Sequence, residues 1–136
     1  MKFQMIITEN DYQRLMRLVG RGSFKSKIPI PAHMLAERLD SAKLFPQTEI
    51  PKNVITMNSR AKLKELASER EVDITITYPQ DADPRARRIS VLSEIGLALL
   101  GRKEKDIVSW RVPDGVGRFQ VDKVIYQPEA AGDYYL

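Results

Sequence analysis

The sequence predicts an α+β protein: a short antiparallel helical hairpin (coiled coil) over residues 1–50, then a β-sheet domain with one short helix over residues 51–136. Three observations carry this. Apolar residues recur at helical 3,4 spacing in the first third of the chain. They alternate with polar residues at strand period in the remainder. A proline-bounded stretch, Phe45–Pro51, separates the two patterns.

Thr8 is a helix N-cap by type, because its hydroxyl can accept a free first-turn N–H, and Asp11 suits the positive helix start. Tyr12, Leu15 and Val19 then form one apolar stripe on a helix of three to four turns, stopped by Gly20 and Gly22. Arg21–Ile30 reads as a connection. Pro31 opens a second helix, where its missing N–H costs nothing. Ala32, Leu35, Leu39 and Ala42 supply the seam that packs on the first helix, and Pro46 ends it.

Beyond Pro51 the pattern changes. Val54–Asn58 has strand-type composition, and Ala61 and Leu63 alternate with Lys62 and Lys64. Val72, Ile74, Ile76 and Tyr78 mark a half-buried strand. Pro79–Arg88 is a polar loop and Ile89–Leu92 a short strand. Ser93 caps a brief helix, Glu94–Leu100, which Gly101 closes. Ile107–Val112 is a strand with Val108, Trp110 and Val112 on one face, so Trp110 is expected in the core. Pro113-Asp114-Gly115 is a turn, Arg118–Tyr126 the last strand, and Gln127–Leu136 a tail.

Composition narrows the function. Apolar residues at 43% and charged residues at 29% describe a folded chain rather than a disordered one. With no cysteine, thiolate chemistry is excluded and a reducing compartment is the natural home. No segment is apolar enough for a signal peptide or a membrane span, so the expectation is a cytoplasmic protein without stable membrane contact. Charge is uneven. Residues 1–50 carry eight Lys/Arg against five Asp/Glu, and no acid occurs between Asp11 and Glu37, where Arg14, Arg17, Arg21, Lys25 and Lys27 fall. Such a cluster is either a solvated helix face or a surface steered toward an anionic partner.

Few of the residue patterns that catalysis or metal binding needs occur in the chain. A zinc site needs His and Cys at fixed spacing, and the chain has one histidine and no cysteine. Asp81 and Asp83 sit on a loop with nothing nearby to complete a cation cage. His33, the one imidazole available for a nucleophilic triad, starts a helix and reads as a surface or hairpin-packing residue. No phosphate-binding glycine loop and no nucleophile elbow occurs; Gly115-Val116-Gly117 leads into a strand and is a turn. The expectation is a non-enzyme with no catalytic residue, cofactor or metal.

Two stretches resemble a known family. Ser90-Val91-Leu92-Ser93-Glu94-Ile95-Gly96-Leu97-Ala98-Leu99-Leu100-Gly101, followed by Asp106, Trp110 and Pro113-Asp114-Gly115, is similar to the C-terminal module of the bacterial Gre transcript-cleavage factors. The end, Tyr126-Gln127-Pro128-Glu129-Ala130-Ala131-Gly132-Asp133-Tyr134-Tyr135-Leu136, with Val54–Arg60 earlier, resembles the Rnk subgroup, named as regulators of nucleoside diphosphate kinase. The resemblance covers nearly the whole chain. It implies an FKBP-like C-terminal domain that grips the rim of the secondary channel of bacterial RNA polymerase, and a hairpin that enters the channel. In the Gre factors, acids at the hairpin tip help hold the magnesium through which backtracked RNA is cleaved.

The chain departs from that pattern. Its tip segment has no carboxylate, which a hard divalent cation requires. Helices of thirteen residues rise only about 20 Å, far less than those of cleavage factors. Leu92-Ser93-Glu94 replaces an Asp-Ser-Pro-like entry to the short helix, and Lys105 stands at a turn position where glycine is usual. The expected function is polymerase binding in competition with Gre-type factors, without cleavage. Ser93, Glu94, Ile95 and Leu97 are the docking candidates, and Arg21, Lys25 and Lys27 the tip candidates. Two alternatives stay open: an FKBP-like peptidyl-prolyl isomerase, and a nucleic-acid-binding module using the basic hairpin. The second is lowered by the scarcity of interleaved aromatics, so nucleic-acid contact is expected only within the polymerase complex.

Overall fold

The computed structural model describes residues 3–20 and 30–136. Strand β1 (Ile6–Thr8) runs directly into helix α1 (Glu9–Gly20), and Thr8 caps it as expected, its hydroxyl accepting the Asp11 N–H at 3.0 Å. Leu15 and Val19 are buried and Tyr12 half-buried, so the apolar stripe faces inward. Helix α2 (Ile30–Asp40) packs on α1 through Ala32, Leu35 and Leu39.

The second helix is shorter than its seam suggests. It ends at Asp40, not near Pro46. Ala42 N–H turns back to the Leu39 carbonyl, and Lys43 N–H donates to the Met5 carbonyl at 2.8 Å. Lys43–Phe45 then forms strand β2, paired in parallel with β1 through Ile6–Lys43, Ile7–Leu44 and Thr8–Phe45. Neither strand was expected. At three residues each, they are too short to show an alternation.

The main sheet contains β3 (Arg60–Glu65), β4 (Glu71–Thr77), β5 (Arg88–Ser90), β6 (Ile107–Val112) and β7 (Gly115–Tyr126), in the order β5-β4-β3-β7-β6. The β4–β5 pair is parallel and the others are antiparallel. Helix α3 (Glu94–Leu99) lies between β5 and β6, and α4 (Pro128–Ala131) folds the tail back. Trp110 on β6 stacks on Phe119 of β7, ring centroids 4.0 Å apart and planes 10° apart.

Val54–Asn58 is not a strand of this sheet. Its backbone groups are satisfied one at a time, by unrelated partners. Ile55 N–H donates to the Arg102 carbonyl, Thr56 N–H to Ser59 Oγ, Met57 N–H to Asp11 Oδ2 and Asn58 N–H to the Ile76 carbonyl. Val54 to Met57 are all buried, which explains a strand-like composition in a segment that lacks a ladder.

The buried residues of the helices (Leu15, Leu35, Leu39) and of the sheet (Leu63, Ile76, Val121) belong to one apolar cluster. The sequence boundary at residues 50 and 51 separates two patterns along the chain, while the packing runs across it.

Candidate interaction surface

The candidate docking residues lie where β5 turns into α3. Ser93 adopts an extended backbone (φ −79°, ψ 162°), and its Oγ accepts the Gly96 N–H at 3.0 Å while donating to the Ser90 carbonyl at 2.7 Å. Ser90 Oγ in turn accepts the Leu92 N–H. The turn is so close that a Cβ at position 96 would stand 2.2 Å from the Ser90 oxygen, so only glycine fits there.

These bonds fix which side chains face out. Glu94 is exposed, and its carboxylate meets Arg111 Nε of β6 at 3.4 Å. Ile95 is half-buried against the core. Leu97 is only 4% exposed and cannot offer its side chain to a partner; it anchors α3 to the sheet. Of the four docking candidates, Glu94 and the outer edge of Ile95 therefore present surface, Ser93 shapes it, and Leu97 supports it from below.

Helix α2 braces the other side of α3. Arg38 donates to the Leu97 carbonyl, and burial lowers the guanidinium's pKa. Arg102 lies 3.6 Å from the centre of the Phe3 ring and donates to the Ala98 carbonyl. Lys105 takes a left-handed backbone (φ 78°), the conformation that normally favours glycine, and donates its N–H to the Val121 carbonyl.

The tip candidates Arg21, Lys25 and Lys27 lie outside the described residues. The acids that bracket that segment are accounted for. Asp11 is 3% exposed and holds the Met57 N–H, whereas Glu37 is exposed and pairs with His33 at 3.0 Å.

A buried polar group escaped the sequence reading. Glu129 of α4 accepts a hydrogen bond from Thr56 Oγ1 at 2.7 Å, and Thr56 shares a second 2.7 Å bond with Ser59. Gln127 Nε2 donates to the carbonyls of Pro51 and Val54, each at 2.8 Å. These residues sew the tail onto the Val54–Ser59 turn. One signal for them was present, in that Thr56, Ser59, Gln127 and Glu129 stand inside the two stretches that carried the subgroup resemblance.

Residues 50–126 match the C-terminal domain of the transcription elongation factors GreA/GreB. The chain belongs to this family. Within the Gre family it falls in the Rnk subgroup, being 38% identical over 134 residues to the regulator of nucleoside diphosphate kinase of Escherichia coli K12, with 97% of this chain and 96% of that one covered. A GreA elongation factor of Clostridioides difficile is 39% identical over 87 residues, 64% of this chain and 55% of that protein. Among solved structures, the elongation factor GreA/GreB from Nitrosomonas europaea superposes with a TM-score of 0.79 at 32% identity, covering 92% of this chain and all of that one. The fold is accordingly the Gre one, two N-terminal helices and then a mixed, curled sheet whose C-terminal domain is FKBP-like.

Proposed function

We infer that this Gre-family protein binds RNA polymerase at the entrance of the secondary channel, competes there with Gre-type factors and does not stimulate transcript cleavage. Family membership supports the partner. The observation that carries the second half is the carboxylate inventory of the hairpin. No acid occurs between Asp11 and Glu37, and Asp11 is buried with its oxygen on Met57 N–H. A hard cation needs carboxylate or carbonyl oxygen, and a side chain already enclosed in the core offers none. Among the described residues the two helices run 12 and 11 residues, a rise of about 18 and 17 Å at 1.5 Å per residue.

In this reading the Glu94–Arg111 pair and the edge of Ile95 form the docking face. Arg21, Lys25 and Lys27 meet the anionic channel mouth. A pull-down of the full chain with purified RNA polymerase tests it. Retention that a Gre factor displaces supports the proposal, and retention that a large excess of Gre factor leaves unchanged places the binding elsewhere.

A further inference from the structure

A cleft of about 550 Å³ opens on the side of α1 away from the helix–helix seam, between that helix, the β4–β5 connection and the end of the tail. Arg14 and Arg17 come from α1, one turn apart, and Arg88 comes from the start of β5. Among the described residues Asp81 is the single acidic side chain on the wall, against three arginines, so the cleft's side chains carry an excess of positive charge. None of the three guanidiniums pairs with an acidic side chain among the described residues. Arg14 donates to the main-chain oxygen of Leu136 at 2.6 Å, and Arg88 to the Asp81 carbonyl at 3.2 Å.

The floor is Tyr78, with the Arg14 guanidinium 5.5 Å from its ring centre. Its hydroxyl is enclosed beneath the cleft, beside the Arg14 guanidinium and facing the charges of Asp11 and Glu129. Burial and then the Asp11 charge raise the phenol well above its ordinary range, so it stays a neutral donor. Tyr135, 80% exposed, supplies a free aromatic face at the rim. A smaller cleft of about 210 Å³ shares Arg14, Arg17, Tyr135 and Leu136, which makes the tail the partition between the two.

We propose that this cleft is a binding site for a small organic phosphate bearing a flat ring, with Arg14, Arg17 and Arg88 on the phosphate and Tyr135 stacking on the ring. Arginine forks suit phosphate oxygens, and the volume is that of an ordinary small-molecule pocket. Seating the phosphate on Arg14 replaces its bond to Leu136. The proposal is independent of polymerase binding and is tested without polymerase.

The experiment is calorimetric titration of the full chain with adenosine monophosphate, inorganic phosphate and adenosine. The monophosphate should bind most tightly, phosphate more weakly and uncharged adenosine not at all. Arg17→Gln and Arg88→Gln should each weaken the monophosphate at least about tenfold, the size of one lost charge-assisted hydrogen bond. Arg17 is exposed, so its variant tests the idea even if Arg88→Gln fails to fold. Absence of saturable heat up to about ten millimolar monophosphate, beyond a millimolar Kd, would overturn the proposal. So would adenosine binding as well as its phosphate, or affinity unchanged in both variants. A single-stranded oligonucleotide whose binding Arg17→Gln and Arg88→Gln weaken, while the monophosphate gives no saturable heat, would assign the arginines to a nucleic-acid track and overturn it equally.

Discussion

The Asp11 carboxylate of α1 accepts the Met57 N–H at 3.1 Å, a bond that ties the first helix to the turn on which the tail is folded. Asp11 is thus a structural hinge-pin between the N-terminal helices and the sheet. Its enclosure has a consequence for stability.

Burial, and next the neighbouring Glu129 charge, push the Asp11 pKa up from 3.8 to about 7. A carboxyl whose folded value exceeds its unfolded value binds more protons in the folded state, so its contribution to stability falls as pH rises from about 4 to about 7. Asparagine keeps an oxygen for Met57 N–H and removes the charge. In urea unfolding, the stability of Asp11→Asn relative to wild type should therefore rise between about pH 4 and pH 7. A difference that does not change with pH would show that Asp11 titrates normally.

The shared core makes a second expectation. Leu35 of α2 is fully buried in the cluster that also holds Leu63 and Val121 of the sheet. Leu35→Ala should cost about 2–5 kcal/mol and lower the thermal transition reported by Trp110, which sits in the sheet. A Trp110 transition that stays in place while helical signal melts earlier would mean that residues 1–50 and 51–136 unfold as separate domains.

The turn into α3 is expected to be intolerant. Ser93→Ala removes the cap and should destabilise by about 1 kcal/mol. Gly96→Ala should cost more, because its Cβ would stand 2.2 Å from the Ser90 oxygen and 2.9 Å from Val91 Cα, both backbone atoms that cannot swing away. Chemical denaturation of the two variants checks the order, and an alanine at 96 milder than one at 93 would contradict the packing.

Much of this was legible in the sequence where a pattern had room to repeat. Ile107–Val112 alternates over six residues and is a strand with those ends. Ser93 announced α3 because capping is a local bond between near neighbours. Strands β1 and β2 were not legible, since three-residue pairing is decided by a partner 37 residues away. Val54–Asn58 misled because burial, rather than a ladder, selects its apolar residues. The docking candidates lie at the start of α3, yet Leu97 points inward, a fact that depends on how the helix sits on the sheet. The arginine cleft joins Arg14 and Arg17 to Arg88, a juxtaposition no spacing along the chain reveals.

Docking should respond to the exposed end of α3 without loss of fold. Glu94 is a surface partner of Arg111, and such pairs contribute only about 0–1 kcal/mol to stability. Glu94→Lys should melt near the wild-type temperature and bind RNA polymerase less well in a competition assay. Unchanged affinity in a folded variant would remove Glu94 from the docking face.

The most direct measurement is cleavage of backtracked RNA in stalled elongation complexes. The hairpin segment between Asp11 and Glu37 offers no carboxylate, and Asp11 itself is enclosed, so magnesium has no carboxylate ligand to gain from that segment. Added protein should leave the basal cleavage rate unchanged, and in excess it should slow cleavage driven by a Gre factor. Magnesium-dependent release of short 3′ RNA fragments by this protein alone would contradict the account.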